Sequence, residues 1–442
     1  MRLTIIPGSP LNGEVTLPGD KSLSHRAALF AALALGESRV ENFLDSGVTR
    51  AMLNALTALG VRWELNGRCL IVTGRGFVGL HAPEHPLNCG NSATTLRLLT
   101  GALAAVGIPA VLDGSPSLRS RPMGRIVEPL RQMGVEIEAV KDCAPLTLHR
   151  SRQPLKPLEY TMPVASAQVK TCLLLAALGA DGPSSVIEPA LSRDHTERML
   201  RSMGVNIRSD TIPGQTGVLH RTVLDPARCC PLLPLNLTLP GDFSSAAFLI
   251  VAALITPGSL VKIRGVGLNS ARTGLLDALL SMGAKIKITS QTMLGGEPAG
   301  DLIVQHSPLL ATRVGGEQVV RMIDEFPIFA IAASFARGDT TVEDASELRL
   351  KESDRISALV AELSRVGVQA QERNDGFFIQ GGEKPAGGTI QPHGDHRLAM
   401  SLAVLGLAAT SPVMIENAEI MEESFPGFVE TFRNLGAKIV ES

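Results

Sequence analysis

Aromatic side chains are scarce in this chain: they make up 3% of 442 residues, and Trp63 and Tyr160 are the sole examples of their types. Platforms on which nucleic-acid bases could stack are therefore not expected. No sign of charge dominates. Lys and Arg number 41 against 43 Asp and Glu, a formal net charge of −2, so there is no basic excess to draw nucleic acid. Long apolar runs are missing as well. The longest, Ala246 to Ile255, is about half of the ~20 residues a membrane span needs, and it predicts a buried helix. The six cysteines form no C-x-x-C and no Cys/His cluster with zinc-ligand spacing, and Cys229 and Cys230 are adjacent. A disulfide framework and a structural zinc are both disfavoured, and free thiols in a reducing cytoplasm are the expectation. Met1–Gly8 carries no apolar core of the length a signal peptide needs. What remains is a soluble globular protein, 45% hydrophobic and long enough that two domains are the default.

What the chain does have is internal repetition. Leu17-Pro18-Gly19-Asp20 returns as Leu239-Pro240-Gly241-Asp242, each followed by an Ala/Leu-rich helical run. A second signature occurs six times: Leu59-Gly60-Val61, Met133-Gly134-Val135, Met203-Gly204-Val205, Met282-Gly283-Ala284, Val366-Gly367-Val368 and Leu435-Gly436-Ala437. An amphipathic stretch precedes each, and polar/apolar alternation follows most. Glycine there suits a helix C′ position, where positive φ is cheap, leading into a strand. The spacing of about 70–85 residues exceeds any solenoid repeat. It predicts six small α/β subdomains grouped three and three. If the two LPGD stretches are equivalent crossovers, residues 1–19 join 241–442 in one domain and 20–240 form the other, with hinges near 18–21 and 239–242. A duplicated scaffold without functional hinges is the alternative.

The candidate chemistry lies at helix starts. Pro18 and Gly19 end a strand-like run, Asp20 can cap a helix, and Lys21, Ser22, His25 and Arg26 then fall in its first turns. Cations there oppose the helix dipole unless an anion binds; a solvated basic helix start is the ordinary alternative. Gly90–Arg97 is a loop of small residues opening a helix, and Asp113–Arg125 is a turn-rich loop with Arg119, Arg121 and Arg125. Arginine forks suit phosphate or carboxylate. Ser166 is a candidate N-cap, with Gln168 and Lys170 in the next turn and Arg193 poised before another helix start. Lys351 and Arg355, four apart, are expected on one helix face beside Glu352. Asp395-His396-Arg397 repeats the pattern of Asp20 and its basic followers, and Asp324-Glu325 adds paired carboxylates. Together these fit a substrate carrying several negative charges, bound by lobes that open and close around it, with embedded acids as proton carriers.

In family order over nearly the whole chain, Asp20-Lys21-Ser22-x-Ser24-His25-Arg26, Gly90-Asn91-x-Ala93-Thr94, Arg121-Pro122-Met123-Gly124, Ser166-Ala167-Gln168, Arg349-x-Lys351-Glu352-Ser353-Asp354-Arg355 and Asp395-His396-Arg397 resemble the 5-enolpyruvylshikimate-3-phosphate synthases of the shikimate pathway. The resemblance implies an α/β fold of two domains, each of three βαβαββ-type repeats with helices packed inside, an inside-out α/β barrel. It implies enolpyruvyl transfer from phosphoenolpyruvate to the 5-hydroxyl of shikimate 3-phosphate, with no metal and no organic cofactor, by a cytoplasmic monomer that needs neither nucleic acid nor membrane. Carried over by position, Lys21, Ser22, Arg26, Ser166, Ala167, Gln168, Arg193, Asp324 and Lys351 bind shikimate 3-phosphate. Lys21, Ala93, Thr94, Arg121, Gln168, Arg355 and Arg397 bind phosphoenolpyruvate. Asp324, Glu352 and Lys21 are the expected catalytic groups, with Glu352 protonating the methylene carbon.

Two departures stand out. Many relatives have lysine where Glu423 precedes Ser424-Phe425-Pro426, and herbicide-sensitive ones have glycine in place of Ala93, so this chain resembles the glyphosate-tolerant second class. Two rival readings are an enolpyruvyl transferase acting on UDP-N-acetylglucosamine and a non-catalytic anion-binding protein on the same fold. The first normally carries a reactive cysteine in the loop equivalent to 113–121, and there is none here.

Overall fold

One small unit of structure recurs six times in the computed structural model, which describes residues 1–151, 153–215, 217–226 and 231–442. Cys229 and Cys230 lie outside the described residues. Each unit has a four-stranded sheet with the same topology. In the sheet containing Leu35–Glu41, that strand runs parallel to Asn236–Thr238 and antiparallel to Cys69–Arg75, which pairs in turn with Arg62–Asn66. The sheet built on Val413–Ile415 follows the same plan but borrows Leu3–Ile6 from the chain start as one of its strands.

Two kinds of helix accompany the sheets, and the sequence explains both. The outer ones, Gly47–Ala58, Gly124–Gln132, His195–Ser202, Gly274–Ser281, Arg355–Arg365 and Phe428–Asn434, keep one buried and one exposed face. Each runs into its signature glycine, and Gly60, Gly134, Gly204, Gly283, Gly367 and Gly436 all have φ between 84° and 110°. A residue with a Cβ would be strained there, which is why the repeat is written in glycine. The inner helices, Lys21–Leu33, Ala93–Val106, Ala167–Ala177, Phe243–Ile255, Phe326–Phe335 and His396–Gly406, are buried almost all round. Every residue of Phe243–Ile255, which contains the longest apolar run, is buried. Ile250, Val251 and Ile255 cost at most ~0.7 kcal/mol each in helix propensity. Burying each is worth ~1.5–3 kcal/mol, so packing decides that this segment is a helix.

The chain divides into two compact units, Met1–Leu17 with Gly241–Met293 and Pro298–Ser442, and Pro18–Pro240 with Leu294–Glu297. The division at Leu17/Pro18 lies two residues before the expected one, because Asp20 N–H bonds the Pro240 carbonyl (2.9 Å) while Gly241 N–H bonds the Gly265 carbonyl (2.8 Å). The turn 294–297 belongs with the second unit, where Glu297 meets His195 at 2.8 Å. Each unit has its own apolar core of inner helices and sheet faces. In the second, Gly101 permits a close approach between helices: a Cβ there would collide with the Cys172 carbonyl oxygen. That contact lets the helices Ala93–Val106 and Ala167–Ala177 pack closely.

Candidate active site

In the second unit the expected residues converge through helix N-termini. Asp20 caps the helix Lys21–Leu33 by accepting from Leu23 N (2.9 Å). Ser92 caps Ala93–Val106, accepting from Thr95 N (3.0 Å), and Ser166 caps Ala167–Ala177. One turn inside the first helix, Arg26 is 2% exposed. Its hydrogen bonds run to neutral oxygens: Nε to Thr196 Oγ1 (2.8 Å), the terminal nitrogens to Thr171 Oγ1 (2.8 Å), the Ser22 carbonyl (3.0 Å) and the Ala167 carbonyl (3.4 Å). Burial pulls its pKa down to about 10, against the opposing pull of Glu197. Arg193 reaches Ser22 Oγ at 3.4 Å.

A second chain of contacts starts at Gln168. Its amide donates to Thr94 Oγ1 (3.0 Å) and accepts from Arg97 (2.7 Å), which also donates to the Pro122 carbonyl (3.0 Å). Arg121, 7% exposed, approaches Asn91 Oδ1 at 3.4 Å. Arg119, by contrast, is turned to Asp113. His25, also buried, ties the two groups together. Nδ1 meets the Lys21 carbonyl (2.8 Å), and Nε2 meets Val48 O and the cap Ser92 Oγ, both at 3.2 Å. Burial pushes its pKa down to about 4, so the ring is neutral.

The first unit assembles its residues differently. Arg355, 1% exposed, donates Nε to Asp395 (2.7 Å) and a terminal nitrogen to Glu352 (2.6 Å), with Asp324 at 3.8 Å. Burial alone would lower its pKa, but Asp395 and Glu352 more than offset this and hold it above its ordinary value. Arg397 bonds the Asp324 carbonyl (3.1 Å) and lies 3.7 Å from Glu325. Lys351 has its pKa lowered, chiefly by burial, although Asp324 pulls the other way. His396 lies 3.7 Å from Glu423.

One expectation is corrected. Lys351 and Arg355 do not share a helix face: a short 3-10 turn, Ser346–Leu350, ends at Lys351, which is extended, and the helix begins at Arg355. Asp354 imposes this by accepting from Ile356 N and Ser357 N, both at 3.1 Å. Arg355 is the first helical residue, and Asp395 draws its side chain. Arg97, Asp395, Thr171 and Thr196 were missed as site groups, since each acts on a partner 25 or more residues away. The small-residue loop ahead of Arg97 and the cap position of Asp395 were the available signals. Among the described residues, one cluster could hold a cation, Asp194, His195 and Glu297, with ligand atoms within 4.8 Å. Asp194 pairs with Arg198 (2.8 Å), and Glu297 lies within hydrogen-bond distance of His195 Nδ1 (2.8 Å). Among the described residues, no helix is long and apolar enough to cross a membrane.

The solved structure of the enolpyruvyl transferase NikO from Streptomyces tendae shares this fold, with a TM-score of 0.80 at 20% identity, covering 100% of this chain and 98% of that one. A family model for EPSP synthase (3-phosphoshikimate 1-carboxyvinyltransferase) matches residues 5–432, and the chain belongs to that family. The 3-phosphoshikimate 1-carboxyvinyltransferase of Petrotoga mobilis is 45% identical over 440 residues, covering 98% of this chain and 99% of the relative. The structure of EPSP synthase from Acinetobacter baumannii matches with a TM-score of 0.85 and 39% identity over the full length of both chains.

Proposed function

We propose that this chain is an enzyme of the shikimate pathway that transfers the enolpyruvyl group of phosphoenolpyruvate to the 5-hydroxyl of shikimate 3-phosphate, releasing phosphate. Besides family membership, the observation that carries the reading is Arg26. A guanidinium buried among hydroxyls and carbonyls, beside helix N-termini and Arg193, is a cation arranged for an anion. Ser22, Arg26, Ser166, Ala167, Gln168 and Arg193 hold the shikimate phosphate and ring. Thr94, Arg121, Arg355 and Arg397 hold phosphoenolpyruvate, with Ala93 lining its pocket.

Addition begins when a proton reaches the methylene carbon and the 5-hydroxyl attacks the adjacent carbon, forming a tetrahedral ketal phosphate. Loss of phosphate and of a methyl proton then restores the double bond in the product. Glu352 carries the proton to and from carbon. Its carboxylate is bound to Arg355, so an anion that engages Arg355 competes for the guanidinium and frees Glu352 to act. Asp324, with Lys351 beside it, orients the attacking hydroxyl, and Lys21 relays the proton that this hydroxyl gives up to the departing phosphate. Holding both substrates in one orientation supplies much of the rate by proximity.

A coupled phosphate-release assay tests this reading: turnover with shikimate 3-phosphate and phosphoenolpyruvate, and none with UDP-N-acetylglucosamine, is expected. Release with the nucleotide sugar, or with neither acceptor, overturns it. The same reading makes the enzyme a cytoplasmic monomer; the free thiols of Cys69, Cys89, Cys143 and Cys172 suit a reducing compartment, and light scattering checks the mass. Ala93, 5% exposed at the first position of its helix, presses a methyl on glyphosate more than on the shorter phosphoenolpyruvate, which gives intrinsic tolerance. Ala93→Gly should lower the glyphosate inhibition constant about tenfold or more, as one methyl group in a tight pocket allows. Tight inhibition of the unaltered chain would refute the idea.

A further inference from the structure

A buried ionic cluster that none of these roles uses lies beside Arg26. Lys170, on the helix Ala167–Ala177, is 1% exposed. Its Nζ meets Glu188 Oε1 at 2.8 Å, Glu197 Oε1 at 2.7 Å and the Ser192 carbonyl at 3.4 Å. Glu188 also accepts from Ser192 N (3.0 Å) and Ser192 Oγ (2.6 Å), and Glu197 accepts from Thr222 Oγ1 (3.4 Å). Glu197 Oε2 is buried without a hydrogen-bond partner. Burial alone would lower the Lys170 pKa, but Glu197 and Glu188 overcome it and raise it, so the amine is charged.

Stability is a weak reason for such a cluster, because well-packed apolar residues of similar volume often do as well. Its position supplies a better one. Lys170 follows Ser166–Gln168 by less than a turn. Ser192 directly precedes Arg193, and Glu197 directly follows Thr196. Thr171, next to Lys170, and Thr196 are the two hydroxyls that hold Arg26, and they meet each other at 2.6 Å. One lysine and two glutamates leave a single negative charge behind the Arg26 cation.

We propose that Lys170 is a positioning residue: with Glu188 and Glu197 it locks the segments bearing Ser166–Gln168, Arg193 and Thr196 into one register, and it balances the charge behind Arg26 so that a phosphate dianion is accepted there. The identity of the phosphate ester rests on the functional reading above. Removing Lys170 leaves two carboxylates behind the anion site, whereas neutralising Glu197 removes a repulsive charge, so the two changes act with opposite sign.

Steady-state kinetics and calorimetry on the full chain test this. Lys170→Met should raise KM and Kd for shikimate 3-phosphate about 10- to 100-fold, with kcat and the phosphoenolpyruvate KM within about threefold, and Lys170→Arg should recover most of the loss. Glu197→Gln should tighten shikimate 3-phosphate or leave its Kd within about twofold. The inference is overturned if Glu197→Gln weakens binding as Lys170→Met does, if kcat and both KM values move together, or if Lys170→Met changes no affinity. Should Lys170→Met not fold, the sign of the Glu197→Gln effect decides alone. Inorganic phosphate, titrated into the same variants, should rank them identically. A wild type that binds phosphate with this ranking but does not turn over shikimate 3-phosphate would refute the functional reading and leave the positioning role standing.

Discussion

Arg26 in the second unit and Arg355 in the first are both withdrawn from water, 2% and 1% exposed, yet their neighbours differ in kind. Arg26 is hydrogen-bonded by threonine hydroxyls and main-chain carbonyls, and burial wins, lowering its pKa. Arg355 is gripped by Asp395 and Glu352, and these carboxylates overcome burial and raise its pKa. A guanidinium among neutral oxygens retains its attraction for an incoming anion. One already paired with carboxylates instead gives up part of that attraction. Under the proposed function the contrast separates capture of the shikimate phosphate at Arg26 from proton transfer at Glu352.

The largest test of that contrast is Glu352→Gln. Loss of a carbon acid–base group should lower kcat by roughly 100- to 10,000-fold while the shikimate 3-phosphate KM stays within a few-fold; single-turnover kinetics showing unimpaired chemistry would break the assignment. Next come the two arginines themselves. Arg355→Met strands a fully buried Asp395 carboxylate and should cost ~3–5 kcal/mol of stability by denaturant titration. Arg26→Met strands only hydroxyls and carbonyls and should cost ~1–3 kcal/mol, yet weaken shikimate 3-phosphate by roughly 10- to 1,000-fold in calorimetry. Equal destabilisation by the two changes would erase the distinction.

An effect confined to acid pH concerns His25, whose neutral ring bridges Lys21 and Ser92 in the second unit. Its pKa falls from 6.5 in the unfolded chain to about 4 in the fold. Stability is therefore full above pH 6.5 and is lost as pH drops towards 4, because the unfolded chain takes up the proton first. The component is on the order of 3 kcal/mol at 1.36 kcal/mol per unit of the shift from 6.5 to about 4. Melting temperatures of His25→Asn between pH 7 and 4 should lack this component, and a slope identical to wild type would count against the bridge.

Much of the fold was readable because its signals are local. Asp20 and Asp242 cap helices through N–H groups two or three residues ahead. The six signature glycines take the positive φ their own backbone requires. Site residues with a motif around them, such as Ser166 or Arg397, could be nominated the same way. The pairing of Lys351 with Arg355 went astray for an equally local reason, since Asp354 starts the helix between them. Partners were not readable. Arg26 finds Thr196 across 170 residues, and Arg355 finds Asp395 across 40. No spacing rule covers such distances.

The sequence alone determined where helices begin and end, that six like units follow one another, and which cations and acids stand at helix starts, because capping and glycine φ act over a few residues. Tertiary structure alone decided which oxygens surround each buried arginine. That choice depends on how closely inner helices approach, as Gly101 against Cys172 illustrates, and on which charges are brought together in places that water cannot reach.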